Sequence, residues 1–224
     1  MSSIRPDAAE PRASVTIDQD AALATSAARL AREFEGTYGI ETIERFMLTS
    51  YEQLAVNAKV ANYLPVLTEK FTRQRLRALA RVEGLQVDNK PTVLFLCVHN
   101  AGRSQMALGF FQHYAGEAGV GWSGGSEPGE SVNPVAIDVM AEKGIDISGE
   151  YPKPWTDEVV KAADVVISMG CGDACPVFPG KRYEEWVLDD PAGWTADGVR
   201  PVRDEIERRV LNLLDELAIT PRTR

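Results

Sequence analysis

Thr92-Val93-Leu94-Phe95-Leu96-Cys97 is an apolar run of strand length with no alternation of polar and apolar positions, and it leads straight into a glycine-containing loop and a helical repeat. A strand wetted on one face alternates, whereas an unbroken run suits a central parallel strand covered on both faces. Parallel neighbours need crossover connections, so helices must alternate with strands further along. The sequence supplies them. Helical patterning occupies Ser104 to Tyr114, and a weaker strand follows at Val120 to Ser123. Asn133-Pro134 is an N-cap and first-turn pair for a helix closing at Gly144. Thr156-Asp157-Glu158 opens a short helix before a strand at Asp164 to Met169, and Tyr183 to Leu188 reads as a fourth strand. Val202, Ile206, Val210, Leu213 and Leu217 mark a closing amphipathic helix. Ligands of such α/β sheets bind beyond the carboxyl ends of the strands, which directs attention to the loops after Leu96, Met169 and Leu188.

Upstream, the periodicity is helical throughout. Leu23, Ala27, Leu30 and Phe34 recur at helical spacing before Gly36; Ile43, Phe46, Ser50, Tyr51 and Leu54 mark a second face; Leu64, Leu67, Phe71, Ala78 and Val82 mark a third that ends at Gly84. Short connections and three apolar stripes predict a small all-α three-helix bundle. The expected organisation is a solvated tail over 1–18, the bundle over 19–88 and a catalytic α/β domain over 89–224. Because the candidate chemistry lies beyond the bundle, removing residues 1–87 is expected to leave a soluble catalytic domain. The third helix is basic, with Lys70, Arg73, Arg75, Arg77 and Arg81. The expectation is a solvated face rather than a nucleic-acid surface.

The chain has 224 residues and a net charge of −9, which disfavours wholesale binding to nucleic acid or anionic membranes and requires a local positive pocket for any anionic substrate. No apolar run approaches a bilayer span and the first residues carry no signal-peptide core, so a cytoplasmic location is expected. Three cysteines do not make a secreted disulfide framework.

The first loop reads Cys97-Val98-His99-Asn100-Ala101-Gly102-Arg103-Ser104, leaving a strand and entering a helix. Backbone N–H groups of a loop this size can wrap an oxyanion, the helix N-terminus adds positive potential, and Arg103 can clamp two oxygens in a planar fork. The same field stabilises a Cys97 thiolate, and Ser104 can donate to it. The imidazole of His99 is expected to point away. The loop after the last strand holds Asp189-Asp190-Pro191, where a carboxylic acid over the pocket can protonate a departing oxygen.

From about Pro91 to Leu217 the chain resembles the low-molecular-weight tyrosine-phosphatase superfamily, and within it the arsenate reductases. The carrying residues are Cys97, Asn100, Arg103 and Ser104, then Gln105-Met106-Ala107, Asn133-Pro134, Asp146-Ile147-Ser148 and Asp190-Pro191. The resemblance implies a four-stranded parallel sheet flanked by helices, with Cys97 as nucleophile, the loop Val98 to Ser104 as oxyanion cradle and Asp190 as general acid. Ser104-Gln105-Met106-Ala107 looks like the reductase version of the loop, since phosphatases usually continue Ser-Pro.

Met169-Gly170-Cys171-Gly172-Asp173-Ala174-Cys175-Pro176 separates the branches. A phosphatase needs no thiol there, whereas a reductase must supply two electrons by thiol–disulfide exchange. Cys171 and Cys175 are closer in sequence than the relay pair usual in the thioredoxin-coupled branch. Four residues apart on a helix, their Cβ atoms would be about 5–6 Å apart, and a disulfide needs about 3.5–4.5 Å; Gly170 and Gly172 would permit the rearrangement. A structural zinc would need four ligands, and neither His99 nor His113 is placed to help, so no metal and no tightly bound cofactor is expected. The resemblance implies arsenate as substrate, phosphate as competing anion, and an external reductant: thioredoxin, or glutathione or mycothiol with a glutaredoxin-like protein. A phosphotyrosine phosphatase, and an oxyanion or redox sensor with the bundle as output, are the alternatives.

Overall fold

The computed structural model describes residues 17–56, 63–85, 89–170 and 177–222. Three helices, α1 (Ile17–Glu33), α2 (Ile40–Ala55) and α3 (Leu64–Val82), precede the alternating part. There β1 (Thr92–Cys97), α4 (Arg103–Ala115), β2 (Val120–Gly125), α5 (Pro134–Ala141), α6 (Asp157–Ala162), β3 (Val165–Met169), β4 (Arg182–Glu185) and α7 (Ala196–Glu216) follow in order. The four strands form one parallel sheet in the order β2-β1-β3-β4. No helix of the described residues is long and apolar enough to cross a membrane.

The unbroken apolar run of β1 has the expected cause. Val93, Phe95 and Cys97 enter one core with α4, α5 and α7, while Leu94 and Leu96 enter a second core on the opposite face with α6. Both faces are covered, so every residue of the strand is buried. Each such Leu, Val or Phe stabilises the sheet by about 2 kcal/mol relative to exposure.

The bundle has apolar clusters of its own, one around Leu30, Ile43, Met47 and Leu76 and one around Tyr51, Leu54, Leu64 and Phe71. It is nonetheless not a free-standing neighbour. Ala78 of α3 belongs to the second core of the sheet, beside Leu94, Leu96, Val159 and Val160. Arg75 is buried, donates from Nε to Glu158 Oε1 at 2.5 Å and from Nη1 to Thr49 and Ser50, and stacks 4.7 Å from the Phe46 ring. Arg81 donates to Asp164 Oδ2 at 2.8 Å, and the same oxygen accepts the Thr92 N–H, so α3 is tied to the start of β1.

The basic character of α3 is therefore largely spent inside the molecule. Arg73 and Arg77 pair with Glu33, Arg75 with Glu158 and Arg81 with Asp164. The expectation of a solvated face is corrected for Arg75, which bridges the bundle to the α/β part. Other differences are local. Helix α1 begins at Ile17, inside the stretch read as tail; residues 1–16 lie outside those described. Strand β4 stops at Glu185; Trp186, which follows, is buried, and Val187 is exposed.

Candidate active site

Strand β1 ends at the centre of the sheet, with Cys97 opposite Gly125 of β2 and Met169 of β3. The chain then folds back so closely that a Cβ on Gly125 would lie 2.6 Å from the Val98 carbonyl oxygen, which explains glycine at that position. Four successive carbonyls of the loop are bonded on its outer side. Val98 O accepts from Glu127 N, His99 O from Gly129 N, Ala101 O from Asn133 N, and Asn100 O from the Gln105 side chain. In a planar trans peptide the N–H points opposite to the C=O. The N–H groups of residues 99 to 102 are thereby turned to the concave side, where an anion would meet them.

Asn100 fixes the turn. It is fully buried with φ +47°, a left-handed conformation that asparagine tolerates better than most residues. Its N–H donates to Cys97 Sγ at 3.2 Å, and its Nδ2 donates to Ser104 Oγ at 2.8 Å. Because Ser104 Oγ accepts that bond, its own proton is free to donate to Cys97 Sγ, 3.0 Å away. The sulfur thus faces two hydrogen-bond donors. Asn100 Oδ1 in turn accepts from Lys153 N at 3.0 Å and Gln105 Nε2 at 3.2 Å.

Arg103 is the first residue of α4, so its side chain and the free N–H groups of the helix start share one site. The guanidinium is almost wholly buried; Nη2 lies 3.3 Å from Asp190 Oδ2 and Nη1 donates to Leu188 O. Cys97, His99, Ala101, Gly102, Arg103, Asp190 and Pro191 are among the residues lining a cleft of about 310 Å³. The loop residues and Asp190 are accordingly brought together. Cys171 and Cys175 lie outside the described residues, although Gly170, directly before them, would place a Cβ 3.0 Å from Arg103 Nη1. His99 is among the residues lining the cleft, and its Nδ1 donates to the Glu127 carbonyl oxygen at 3.1 Å, which leaves Nε2 without the proton in the neutral ring. Among the described residues no three His, Cys, Asp or Glu side chains gather as a metal site.

A parallel sheet whose central strand delivers a cysteine into an oxyanion cradle, with an arginine at the helix start and an aspartate opposite, defines a phosphatase-type anion site. The family model described as low molecular weight phosphotyrosine protein phosphatase matches residues 92–221, and the chain belongs to that family. A second model, protein-tyrosine-phosphatase-like N-terminal domain, matches residues 23–80. A solved thioredoxin-dependent arsenate reductase of Corynebacterium glutamicum is 41% identical with a TM-score of 0.80, over 88% of this chain and 96% of that one. Arsenate reductase 2 of Staphylococcus saprophyticus is 37% identical over 131 residues, covering 57% of this chain and 98% of the relative. A tyrosine phosphatase of Erwinia amylovora, at 19% identity and a TM-score of 0.51 over 58% of this chain and 95% of that one, shares the fold.

Proposed function

We propose that this chain reduces arsenate to arsenite, with Cys97 as nucleophile and an external dithiol protein of the thioredoxin type as electron donor. The observation that carries the reading is the likeness, across both the bundle and the α/β domain, to a thioredoxin-dependent arsenate reductase. The geometry of the loop supports it. Arsenate enters the cradle of N–H groups, displaces Asp190 from Arg103, and takes the guanidinium fork. The Cys97 thiolate attacks arsenic; one hydroxyl leaves as water with a proton from Asp190. Cys171 then attacks Cys97 Sγ, forming an S–S bond while the As–S electron pair stays on arsenic, which departs as arsenite. Cys175 transfers the disulfide to Cys171–Cys175 and frees Cys97, and the external dithiol reduces that pair. Phosphate, of the same shape and charge, competes for the cradle.

The test is arsenite release by purified protein supplied with arsenate, thioredoxin, its reductase and NADPH, beside Cys97→Ser. Steady turnover that vanishes in the variant is expected, because a serine hydroxyl is not ionised at neutral pH. Turnover retained by Cys97→Ser removes that sulfur from the mechanism. If glutathione or mycothiol with a glutaredoxin-like protein sustains turnover where thioredoxin does not, the donor assignment changes and the site assignment stands.

The family's phosphatase activity is the second reading, favoured by the same Cys97, Arg103 and Asp190. An aryl phosphate separates the two, since a reductase should hydrolyse it only feebly. The sensor reading loses its support, because the arginines of α3 that suggested an output surface pair with carboxylates of the chain itself.

A further inference from the structure

The segment Tyr151-Pro152-Lys153 joins the bundle to the anion loop. At one end the Tyr151 ring packs against the bundle cluster of Tyr51, Leu54, Leu64 and Phe71. At the other, Lys153 N donates to Asn100 Oδ1, and Lys153 O accepts from Gly125 N at 2.9 Å, beside the foot of the loop. Between them, Tyr151 O accepts from Gln105 Nε2 at 3.1 Å, the nitrogen that also reaches Asn100 O and Oδ1.

Lys153 is the unexpected member. A lysine is almost never fully buried, yet this one is 2% exposed. Its ammonium donates to Ser123 Oγ at 3.2 Å and to Tyr151 O at 3.4 Å, lies 3.8 Å from Glu150 Oε2, and sits 4.6 Å from the centre of the Tyr151 ring. Burial pushes its pKa down, with Glu150 opposing and Lys70 adding to the fall. Retaining a buried amine costs free energy, and what it does here is pin a three-residue strap from both sides. It holds the Tyr151 carbonyl that orients Gln105, and it anchors the strap to β2 through Ser123.

We propose that the helical bundle is a working part of the active site: Tyr151, seated in the bundle, and Lys153, buried at the junction, are positioning residues that hold Asn100 and, through it, the Ser104–Cys97 contact. The chain of contacts is continuous, from Phe71 and Leu54 to the Tyr151 ring, from its carbonyl to Gln105, from Gln105 and Lys153 N to the Asn100 amide, and from that amide to Ser104 Oγ and the sulfur. If the strap shifts, Asn100 Oδ1 loses its donors, its amide can rotate, and Ser104 is no longer committed to donate to sulfur. The proposal rests on the reading of Cys97 as nucleophile.

The experiment measures the rate of iodoacetamide modification of Cys97 against pH, read by mass on the peptide that carries it, in the full-length chain. Lys153→Met and Tyr151→Ala should displace the profile to higher pH by about one unit, slowing modification about tenfold on the acid limb, well below both midpoints. They should also lower kcat more than they raise KM for arsenate. A Lys153→Met protein with a lower melting temperature but an unmoved profile overturns the proposal and leaves Lys153 a packing residue. Should that variant not fold, Tyr151→Ala carries the same expectation with Lys153 in place, and an unmoved profile there is equally decisive. Wild-type Cys97 that reacts no faster than a free cysteine sinks instead the reading on which the proposal rests.

Discussion

Asp190 Oδ2 lies 3.3 Å from Arg103 Nη2, so the proposed acid holds the guanidinium that an oxyanion must engage. The aspartate side chain is half exposed although the guanidinium is buried, so Asp190 can swing into solvent and yield Arg103 to an anion that also gains the loop N–H groups. Asp190→Asn should therefore separate two roles. Loss of the proton donor is expected to lower kcat by about 10²–10⁴-fold, while KM for arsenate and inhibition by phosphate stay unchanged or tighten, because a competitor for Arg103 has gone. A raised KM with kcat intact would mean that Asp190 binds substrate rather than protonating it.

The two loop cysteines should act in order. Cys175→Ser is expected to release one arsenite per enzyme and trap a Cys97–Cys171 disulfide, visible by peptide mass. Cys171→Ser should stall with arsenic on Cys97 unless a small thiol intervenes. Full thioredoxin-driven turnover by the double variant would show that the relay is dispensable, leaving Cys97 as nucleophile.

Glu158 should matter to stability far more than a helix-surface carboxylate. Its partner Arg75 is buried between Phe46, Thr49 and Ser50, and removing one member of a buried pair typically costs about 3–5 kcal/mol. Glu158→Ala is expected to lower the urea midpoint accordingly, without moving KM. For the same reason removal of residues 1–87, expected from sequence to leave a soluble domain, is now expected to yield an aggregating or poorly folded fragment. It removes Ala78 from the core that holds Leu94 and Leu96, and it leaves the Glu158 carboxylate without Arg75. A soluble fragment with a sharp thermal transition would refute this.

Two glutamates set an acid limit. Hydrogen bonds from Arg200, and then Arg203, hold Glu142 at about 2 instead of 4.5; Arg208, and then Arg209, hold Glu205 at about 2. Both values are depressed in the folded state. Their contribution is therefore present above about pH 4.5 and is lost as pH falls toward about 2. Glu142→Gln should melt below wild type at neutral pH, and the difference should close on acidification through that window. A gap that widened in acid would reverse the sign.

The sheet was legible because its central strand has an unusual signature: Thr92 to Cys97 can be buried on both faces only between helices. The cradle was legible because cysteine, arginine and a helix start are adjacent in sequence. What could not be read depends on contacts between distant segments. Nothing in Tyr151-Pro152-Lys153-Pro154 announces a strap whose backbone holds Asn100, since Tyr-Pro-Lys-Pro reads as an ordinary polar turn. Arg75 sits among other basic residues, and charge periodicity alone gives no sign that one of them faces inward. The fourth strand is shorter than its sequence suggests because Trp186, Val187 and Leu188 extend the apolar character of the segment, whereas pairing with β3 ends at Glu185.

Ala78 joins the core on the far side of the sheet although it is made before any strand of that sheet exists. During synthesis α3 leaves the ribosome with part of its apolar face lacking the surface it will cover, and the N-terminal helices complete their packing only once β1, α6 and β3 have followed. Chemical unfolding should accordingly be one event reported alike by probes at either end of the chain. A chimera that grafts these helices onto a shorter relative will need the matching sheet face as well as the joining loop.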